Sequence, residues 1–358
     1  MVLETQSNQR KSIYLKINPA KDYKFLKVRH QSLKKRSLFF TKMHILSSLF
    51  MQAIIYKSTG SWYVVKTETG IWFNARIKGI FKIDGITSTN PIAVGDVVTI
   101  EPEDESGNRA IITGIDQRQN YIARSSPHNK NQHHIIASNL DQVLLFVTLK
   151  DPRTSSGFMD RFLVSAEAYH LPAILVFNKW DEYRKKELAQ FDELNKIYTE
   201  IGYKIARLSM QTGEGIAEIN DLLQDKATLL SGHSGVGKST FINAVLPDKQ
   251  LRTTEVSNWS GKGMHTTTFA EMFDLPFGGR LIDTPGIREL GIVDIKKEEL
   301  SHYFPEMRKL LPQCHYHNCL HINEPDCAVK AALEDETVSV LRYVSYMNIM
   351  DTIADKTY

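Results

Sequence analysis

Two short motifs stand in an unusual order along this chain, and that order limits the folds that can hold them. Asn178-Lys179-Trp180-Asp181 comes first, and the glycine-rich segment Gly232-His233-Ser234-Gly235-Val236-Gly237-Lys238-Ser239 follows about fifty residues later. In most domains that carry both motifs, the glycine-rich segment opens the domain and the Asn-Lys-x-Asp motif lies near its end. The sequence therefore predicts a ring of strands and helices that is cut and reopened elsewhere, a circular permutation.

The glycine-rich segment has the spacing Gly-x4-Gly-Lys-Ser, which is typical of a phosphate-binding loop. Its glycines let backbone N–H groups turn toward phosphate oxygens at the start of a helix. We expect Lys238 to reach the β- and γ-phosphates and act in catalysis, and the Ser239 hydroxyl to ligate Mg²⁺. The residues expected to contact the nucleotide here are Gly232, His233, Ser234, Gly235, Val236, Gly237, Lys238, Ser239 and Thr240.

The Asn-Lys-x-Asp motif predicts recognition of guanine. The carboxylate of Asp181 can accept hydrogen bonds from N1–H and the exocyclic N2–H of guanine, a pairing that adenine does not offer. We expect Lys179 to lie over the base and Asn178 to tie this loop to the phosphate loop. Ser209-Met210, at the end of the next predicted strand, fits a loop whose backbone donates to guanine O6.

Two further segments fit the magnesium side of a GTP site. Asp283-Thr284-Pro285-Gly286 follows a predicted strand, where a Mg²⁺-side aspartate, Asp283, and a γ-phosphate-sensing glycine, Gly286, belong. Gly263 to Thr268 lies where the first switch segment belongs. One threonine hydroxyl there should complete the Mg²⁺ shell, and we favour Thr267 over Thr266 and Thr268.

The position after Gly286 holds Ile287 rather than the water-orienting glutamine of many GTPases. An isoleucine cannot orient water, so we expect GTP hydrolysis by the isolated protein to be slow. His265 is a candidate for holding the attacking water, and a solvent-facing histidine with no catalytic role is the alternative.

Three cysteines lie within fourteen residues and predict a metal site in a reducing compartment. Three thiolates and one imidazole would form a closed tetrahedral, structural zinc site. His315 and His317 are alternatives to the favoured histidine. The predicted ligands are Cys314, Cys319, His321 and Cys327.

The arrangement of strands and helices predicts an α/β protein of several domains. Short alternating runs suit an N-terminal OB-type barrel, and alternating buried strands and helices suit a parallel sheet with ligands at the carboxyl ends of its strands. A helical zinc-binding domain is expected to follow. The predicted parts are a basic, disordered leader (1–50), the barrel (51–121), a linker (122–138), the circularly permuted P-loop GTPase domain (139–297) and the zinc-binding domain (298–358).

Hydropathy suggests a cytoplasmic protein without a membrane partner, and we expect it to be a monomer. The leader has a net charge of about +9 and the remainder roughly −6. The apolar part of the leader is too short and too interrupted for a membrane span, and Met51 is an alternative start.

The barrel sequence also carries aromatic and basic residues that suit contacts with single-stranded or looped RNA. Aromatic residues in strands are more often part of a core, and that is the alternative interpretation. The residues concerned are Trp62, Tyr63, Trp72, Phe73, Arg76, Lys78 and Lys82.

The order of these motifs, together with the cysteine spacing and the upstream barrel, resembles the circularly permuted, ribosome small subunit-dependent GTPase A family of bacteria. The resemblance covers about residues 52 to 351. It implies a GTP hydrolase that uses GTP/GDP, Mg²⁺ and one structural Zn²⁺. It also implies binding to the small ribosomal subunit and its rRNA, late subunit maturation, and turnover stimulated by the subunit. A nucleotide-gated RNA-binding adaptor with incidental turnover is the alternative function.

Overall fold

The structure, a computed structural model, describes residues 50–77, 91–103, 107–125, 133–247, 270–284 and 295–353. The predicted leader lies outside these residues except for Phe50. Within them the chain forms a barrel, a central α/β sheet and a C-terminal helical module, in that order. None of the helices described is both long enough and apolar enough to cross a membrane.

Five strands form the N-terminal barrel. They are β1 (Met51–Ser58), β2 (Tyr63–Thr67), β3 (Trp72–Ile77), β4 (Val97–Pro102) and β5 (Arg109–Ile115). They pair in the order β1-β2-β3-β5-β4, and β4 closes the barrel by pairing back onto β1. Alternate side chains fill the interior because successive strand residues face opposite sides; Ile55, Val65 and Ile112 are among the buried ones. The closed five-stranded barrel is the predicted OB type.

The segment 122–138, predicted to be a linker, instead contains two paired strands. β6 (Tyr121–Ser125) and β7 (His133–Ser138) form an antiparallel hairpin. Ile122 and Ile136 are buried in the same core as the central sheet. The prediction was wrong because the polar connection between the strands dominates the composition of the segment and hides these apolar residues.

Six strands form the central sheet. They are β8 (Gln142–Val147), β9 (Ala173–Phe177), β10 (Lys204–Arg207), β11 (Ala227–Ser231), β12 (Glu271–Asp274) and β13 (Arg280–Asp283). Their spatial order is β10-β9-β8-β11-β13-β12, and all neighbours are parallel except β12 and β13. β11, which leads into the phosphate loop, is inserted between β8 and β13. The motif order therefore corresponds to a permuted parallel sheet.

Helices cover both faces of this sheet. They are α1 (Ser156–Ala168), α2 (Lys185–Ile201), α3 (Ile216–Leu223) and α4 (Lys238–Val245). Alternate residues of β8 enter two separate cores: Leu145 packs with residues of α1 and α2, and Leu144 with residues of α3 and α4. Burial on both faces explains the continuous apolar sequence of the central strands.

The C-terminal module is built from short helices around its own core. Its α-helices are α5 (Pro305–Arg308), α6 (Ala328–Glu334) and α7 (Val340–Thr352), and 3₁₀ helices span Lys297–Tyr303 and Leu311–Gln313. Phe304, Met307 and Tyr346 are fully buried in that core, and Val164 of α1 belongs to it. The module is therefore packed against the first helix of the central domain.

A buried ion cluster strengthens this packing. Arg342 of α7 is fully buried and donates to Oδ1 of Asp160 on α1 (2.6 Å) and to Oε1 of Glu306 on α5 (2.7 Å). Tyr198 of α2 donates to the same Asp160 oxygen at 2.7 Å. Since buried charges are tolerated only when paired, these contacts lock the module to the central domain.

The central sheet continues into the barrel along a contact that we call the seam, formed by β1 and β2 with β12. β1 pairs antiparallel with β12, and Lys57 lies opposite Glu271. Lys57 Nζ contacts Glu271 Oε2 at 2.8 Å, and Asp274 accepts from Tyr56 Oη and Lys66 Nζ, both at 2.5 Å. The barrel thus covers the edge of the central sheet.

Candidate guanine-nucleotide and metal sites

The glycine-rich segment forms a tight loop between β11 and α4, as predicted. Gly232, Gly235 and Gly237 have φ angles of 136°, 86° and 99°, a region that L side chains rarely adopt. A Cβ atom at Gly237 would lie 2.2 Å from Nδ2 of Asn178. This glycine is therefore required both for its backbone conformation and for the close approach of the neighbouring loop.

Lys238 begins α4 and folds back over the loop. Its Nζ donates to the backbone oxygens of Gly232 (2.6 Å) and His233 (2.9 Å). Burial lowers the pKa of Lys238 to about 8, although the carboxylate of Asp283 opposes that shift. A phosphate group in the loop would offer this ammonium group stronger acceptors than the two carbonyls.

The Asn-Lys-x-Asp motif lies directly against the phosphate loop. Asn178 follows β9, is 1% exposed, and donates from Nδ2 to the backbone oxygen of Val236 at 2.7 Å. Its backbone N–H donates to Val147 at the end of β8. Because β8, β9 and β11 are parallel neighbours, their carboxyl ends bring together the two motifs that the sequence places in reverse order.

The base-reading loop is held in place by its neighbours. Ser209 Oγ donates to Asp181 Oδ1 at 2.5 Å, and the backbone N–H of Trp180 donates to Leu208 at 3.1 Å. Lys179 has a left-handed backbone (φ 59°), and its Nζ contacts the backbone oxygen of Asp151 at 2.6 Å. The hydrogen bond from Ser209 holds one oxygen of the Asp181 carboxylate, and the carboxylate keeps further acceptor sites for a ligand.

Met210 is the second residue of the loop predicted to donate to guanine O6. Its side chain is partly buried and packs against the core beneath α3 and α4. The next residues turn back, and the backbone N–H of Thr212 donates to Ser209 Oγ at 3.1 Å. The Ser209-Met210 loop thus lies next to Asp181, and its contact with guanine O6 stays a prediction.

Asp283 ends β13 and lies across from Leu230 of β11, beside the start of the phosphate loop. Burial raises the pKa of the Asp283 carboxyl, and Lys238 lowers it. Ser239 lies in the first turn of α4. A carboxylate and a hydroxyl are oxygen donors of the kind that Mg²⁺ prefers, so these residues fit the expected ion.

Several predicted residues lie outside the described residues. They are His265, Thr266, Thr267, Thr268, Gly286 and Ile287. The two segments that contain them flank the interswitch strands: one leads into β12 and the other follows β13. Their roles in magnesium binding and hydrolysis stay predictions.

The cysteine cluster of the C-terminal module forms a compact group of metal-ligand atoms. The atoms offered by Cys314, Cys319, His321 and Cys327 all lie within 4.8 Å of one another. His321 Nδ1 is 3.7 Å from Cys314 Sγ and 3.3 Å from Cys327 Sγ. A tetrahedral zinc site with bonds of about 2.0–2.3 Å separates its ligand atoms by about 3.5 Å, so the group fits zinc.

In the absence of an ion, burial favours the neutral forms of the ligands in this group. Burial raises the pKa of the Cys319 thiol to about 12 and lowers the pKa of His321. The imidazole is therefore neutral, while a metal must displace protons from the thiols in order to bind. The alternatives His315 and His317 are exposed and are not part of the group.

Backbone contacts support the loop that carries His321. Tyr343 Oη donates to the backbone oxygen of His321 at 2.6 Å, and Tyr346 Oη donates to that of Leu320 at 2.8 Å. Glu324 accepts from the backbone N–H of Leu320 at 2.8 Å. These residues, which the sequence analysis missed, tie the ligand loop to α7.

Two further contacts near the nucleotide loops involve residues outside the predicted motifs. The ring of Phe158, in the first turn of α1, lies 3.7 Å from that of His233 in the phosphate loop. Asp151 supplies the carbonyl that holds Lys179. Neither Phe158 nor Asp151 belongs to a motif. Asp151 acts through its backbone carbonyl, which every residue type has, so no sequence signal identifies these two residues.

The four aromatic residues of the barrel divide into two groups. Tyr63 and Phe73 are 1% and 8% exposed and belong to the barrel core, so their predicted role in RNA contact is wrong. Trp62 and Trp72 are 42% and 44% exposed. The division follows the alternation of side chains along β2 and β3.

The basic residues of the barrel are only partly described. Arg76 is exposed on β3 and forms an ion pair with Glu103. Lys78 and Lys82 lie outside the described residues. The predicted basic patch is therefore represented in the structure by Arg76 alone among these three residues.

A Gly-x4-Gly-Lys-Ser loop, an Asn-Lys-x-Asp motif and an Asp-Thr-Pro-Gly aspartate at the carboxyl ends of a reordered parallel sheet are the features of a circularly permuted GTPase. A family model described as the RsgA GTPase matches residues 115–293, and one described as the RsgA N-terminal domain matches residues 52–112. Both fall on the described barrel and central domain.

Relatives and solved structures agree with this class. The small ribosomal subunit biogenesis GTPase RsgA of Flavobacterium psychrophilum is 52% identical over 86% of this chain and 94% of its own length. The protein of that name in Bacteroides fragilis is 48% identical over 86% of this chain and 99% of its own.

Two crystal structures share the fold. The structure of YjeQ from Thermotoga maritima has a TM-score of 0.70 and 35% identity, and covers 85% of this chain and 98% of its own. The structure of YloQ, a circularly permuted GTPase, has a TM-score of 0.66 and 29% identity, and covers 86% and 96%. The chain belongs to the RsgA GTPase family and is a GTP hydrolase.

Proposed function

We propose that this GTPase acts on the small ribosomal subunit: it binds the maturing subunit, hydrolyses GTP faster there than alone, and uses hydrolysis to time its own release late in maturation. Support comes from the relatives, which are named small ribosomal subunit biogenesis GTPases and match nearly their full length. Further support is Ile287 in place of a water-orienting glutamine, since a GTPase without that glutamine needs help from another residue or a partner.

One observation carries the nucleotide-binding part of the proposal. Asn178 of the base-reading motif and Val236 of the phosphate loop share a hydrogen bond of 2.7 Å, so a base and its phosphates have one continuous site. We assign guanine recognition to Asp181 with Lys179, Ser209 and Met210, and phosphate binding to residues 232–240.

For the reaction itself, we assign Mg²⁺ to Ser239, Asp283 and Thr267. The ion would neutralise charge on the β- and γ-phosphates, and Lys238 would add a second positive charge there. His265 is assigned to hold the attacking water, and Gly286 would sense the γ-phosphate through its backbone N–H. With the water held by a single histidine, unaided turnover is expected to be slow.

We assign one structural zinc ion to Cys314, Cys319, His321 and Cys327. All four positions of a tetrahedral ion would be filled by protein atoms, so no position stays open for a substrate. The ion would stabilise a module that has few regular helices and is locked to the central domain by Arg342.

For the partner, we propose that the exposed rings of Trp62 and Trp72 contact unstacked bases of rRNA. Each is more than two-fifths exposed, whereas the aromatic residues that follow them in sequence, Tyr63 and Phe73, are buried. Stacking on an aromatic ring is tolerant of sequence and suits looped RNA. We further propose that the protein works as a monomer in the cytoplasm, where small subunits are assembled.

The proposal is tested by steady-state GTP hydrolysis with and without purified small ribosomal subunits. We expect small subunits to stimulate hydrolysis at least tenfold, and each factor of ten corresponds to about 1.4 kcal/mol of activation free energy. The stimulation should be absent with large subunits and abolished in Lys238→Ala. Trp62→Ala with Trp72→Ala should lower the stimulated rate and leave the unstimulated rate unchanged, because both residues belong to the barrel and neither is part of a nucleotide motif.

A flat hydrolysis rate together with tight, nucleotide-dependent binding to the subunit would overturn the proposal. The protein would then be an RNA-binding adaptor whose turnover is incidental. A preference for ATP over GTP in binding would overturn the assignment of Asp181 instead.

A further inference from the structure

The seam between barrel and central sheet lies directly beside the proposed magnesium site. β12 is the first of the two strands between the segments predicted to be switches, and it pairs with β1 on one side and β13 on the other. The register places Lys57 opposite Glu271 and Glu271 opposite Asp283. Directly opposite residues of antiparallel strands point to the same face, so these three side chains form a row across three strands.

The row contains one positive side chain, Lys57, followed by two negative ones, Glu271 and Asp283. Lys57 Nζ contacts Glu271 Oε2 at 2.8 Å, and the two side chains are 35% and 25% exposed. Glu271 therefore places a second negative charge next to the carboxylate of Asp283, and Lys57 neutralises it. Adjacent strands lie about 4.8 Å apart, so an ion held by Asp283 would be within roughly 8 Å of Glu271.

We infer that Lys57 and Glu271 are positioning residues for the magnesium site, through which the barrel sets the charge next to Asp283. This inference rests on the proposed assignment of Mg²⁺ to Asp283. In it, the barrel contributes to GTP binding without touching the nucleotide: Glu271 attracts the ion, and Lys57 of the barrel limits that attraction. Withdrawal of Lys57 would tighten magnesium binding.

The same seam contains a matched control. Lys66 Nζ contacts Asp274 Oδ2 at 2.5 Å, also from the barrel to β12, with side chains 27% and 40% exposed. Asp274, however, lies opposite Arg280, at the other end of β13 from Asp283. Loss of Lys66 weakens the seam in the same way as loss of Lys57 but leaves the charge next to Asp283 unchanged.

The test measures the dissociation rate of a fluorescent GDP from the full-length protein at a series of Mg²⁺ concentrations. The quantity compared between variants is the half-saturating Mg²⁺ concentration, at which Mg²⁺ has half of its full effect on that rate. A unit charge about 8 Å from a divalent ion in a water-like dielectric changes binding roughly fivefold. We expect Glu271→Gln to raise the half-saturating concentration roughly fivefold, and Lys57→Met, whose charge lies one strand farther from the ion, to lower it roughly threefold. Lys66→Met should stay within about twofold of the wild type.

Opposite signs separate this electrostatic role from a structural one. The double variant Lys57→Met/Glu271→Gln, which removes both charges, should return to within about twofold of the wild type. Shifts in the same direction for Lys57→Met, Glu271→Gln and Lys66→Met, or no shift for the first two, would overturn the inference.

Asp283→Asn separates failure of the inference from failure of the underlying assignment. If Asp283→Asn weakens Mg²⁺ dependence while the two seam variants do not change it, the inference alone is wrong. If Asp283→Asn leaves Mg²⁺ dependence unchanged, the magnesium assignment is wrong and the inference falls with it.

Discussion

The buried cluster around Arg342 supports a quantitative expectation about how the C-terminal module is held. Arg342 is fully buried and contacts two carboxylates on two other helices. Replacing it by Met keeps most of the volume but leaves Asp160, also fully buried, with the hydroxyl of Tyr198 as its partner. Glu306 is partly exposed and can turn toward water. The cost therefore falls mainly on Asp160.

Its magnitude follows from the chemistry of an orphaned carboxylate. A buried carboxylate without a charged partner avoids the cost of desolvating its charge by taking up a proton. Protonating an ordinary carboxyl group with a pKa of about 3.9 costs about 4 kcal/mol at pH 7, which sets an upper limit to the loss of stability. Breaking a buried ion pair typically costs about 3–5 kcal/mol, in agreement with this limit. We expect Arg342→Met to lower the free energy of opening of α7 by about 3–5 kcal/mol at pH 7.

The dependence on pH has a definite sign. In the variant, the native state holds a proton that the unfolded state releases at neutral pH, so native stability falls as pH rises. The deficit relative to wild type should shrink by up to about 1.4 kcal/mol per unit as pH is lowered from 7 toward 5. Hydrogen exchange of the amides of α1 and α7, measured at pH 5, 6 and 7, reports this directly.

Two further variants make the reasoning refutable. Arg342→Met with Asp160→Asn should recover at least about 2 kcal/mol, because no charge is left buried. Arg308→Met breaks an exposed ion pair with Glu167 between the same module and the same helix, and should cost at most about 1 kcal/mol. A deficit below about 1 kcal/mol for Arg342→Met, or one that does not change with pH, would refute this account.

Three shorter expectations concern the nucleotide and metal sites. Asp181→Asn should weaken GDP binding by about a hundredfold, because two charge-assisted hydrogen bonds to guanine are lost, and should favour xanthosine diphosphate in competition titrations; an unchanged ranking of nucleotides would contradict it. Burial lowers the pKa of Lys238 to about 8, and bound phosphate favours its charged form. Above pH 8, GDP binding should therefore take up a proton and weaken by up to about tenfold per pH unit. A GDP affinity that calorimetry finds constant from pH 7 to 9, or the same pH dependence in Lys238→Met, would contradict this expectation. Chelation of zinc, or Cys319→Ser, should abolish hydrogen-exchange protection in α6 and leave GDP binding within about threefold, whereas unchanged protection would show that no metal holds the module.

The parts of the site that depend on local backbone chemistry could be predicted from the sequence. Gly237 and Lys238 are specified by what a phosphate loop must do, and Asp181 by the hydrogen-bonding edge of guanine. The buried strands β8 and β9 were identifiable because both of their faces are covered, which leaves an unbroken apolar run.

Other elements leave no such mark. β12 has four residues, Glu-Met-Phe-Asp, too few for a periodic signal, and its charged ends are explained only by the barrel beside it. The hairpin of β6 and β7 was hidden by its polar connection. Arg342 was invisible as a docking residue because its partner Asp160 lies 182 residues earlier, and a single arginine in a helix does not identify its partner.

The seam also has a consequence for how the protein is made. Lys57 and Glu271 are 214 residues apart, so at about 5–20 residues per second the ribosome needs roughly 10–40 s between synthesising one and the other. The barrel has time to close on itself during that interval, whereas β12 joins the central sheet only after β13, which lies between β11 and β12, has been synthesised. The contact between Lys57 and Glu271 therefore forms late in synthesis, and joins to the central sheet a barrel that has had time to close.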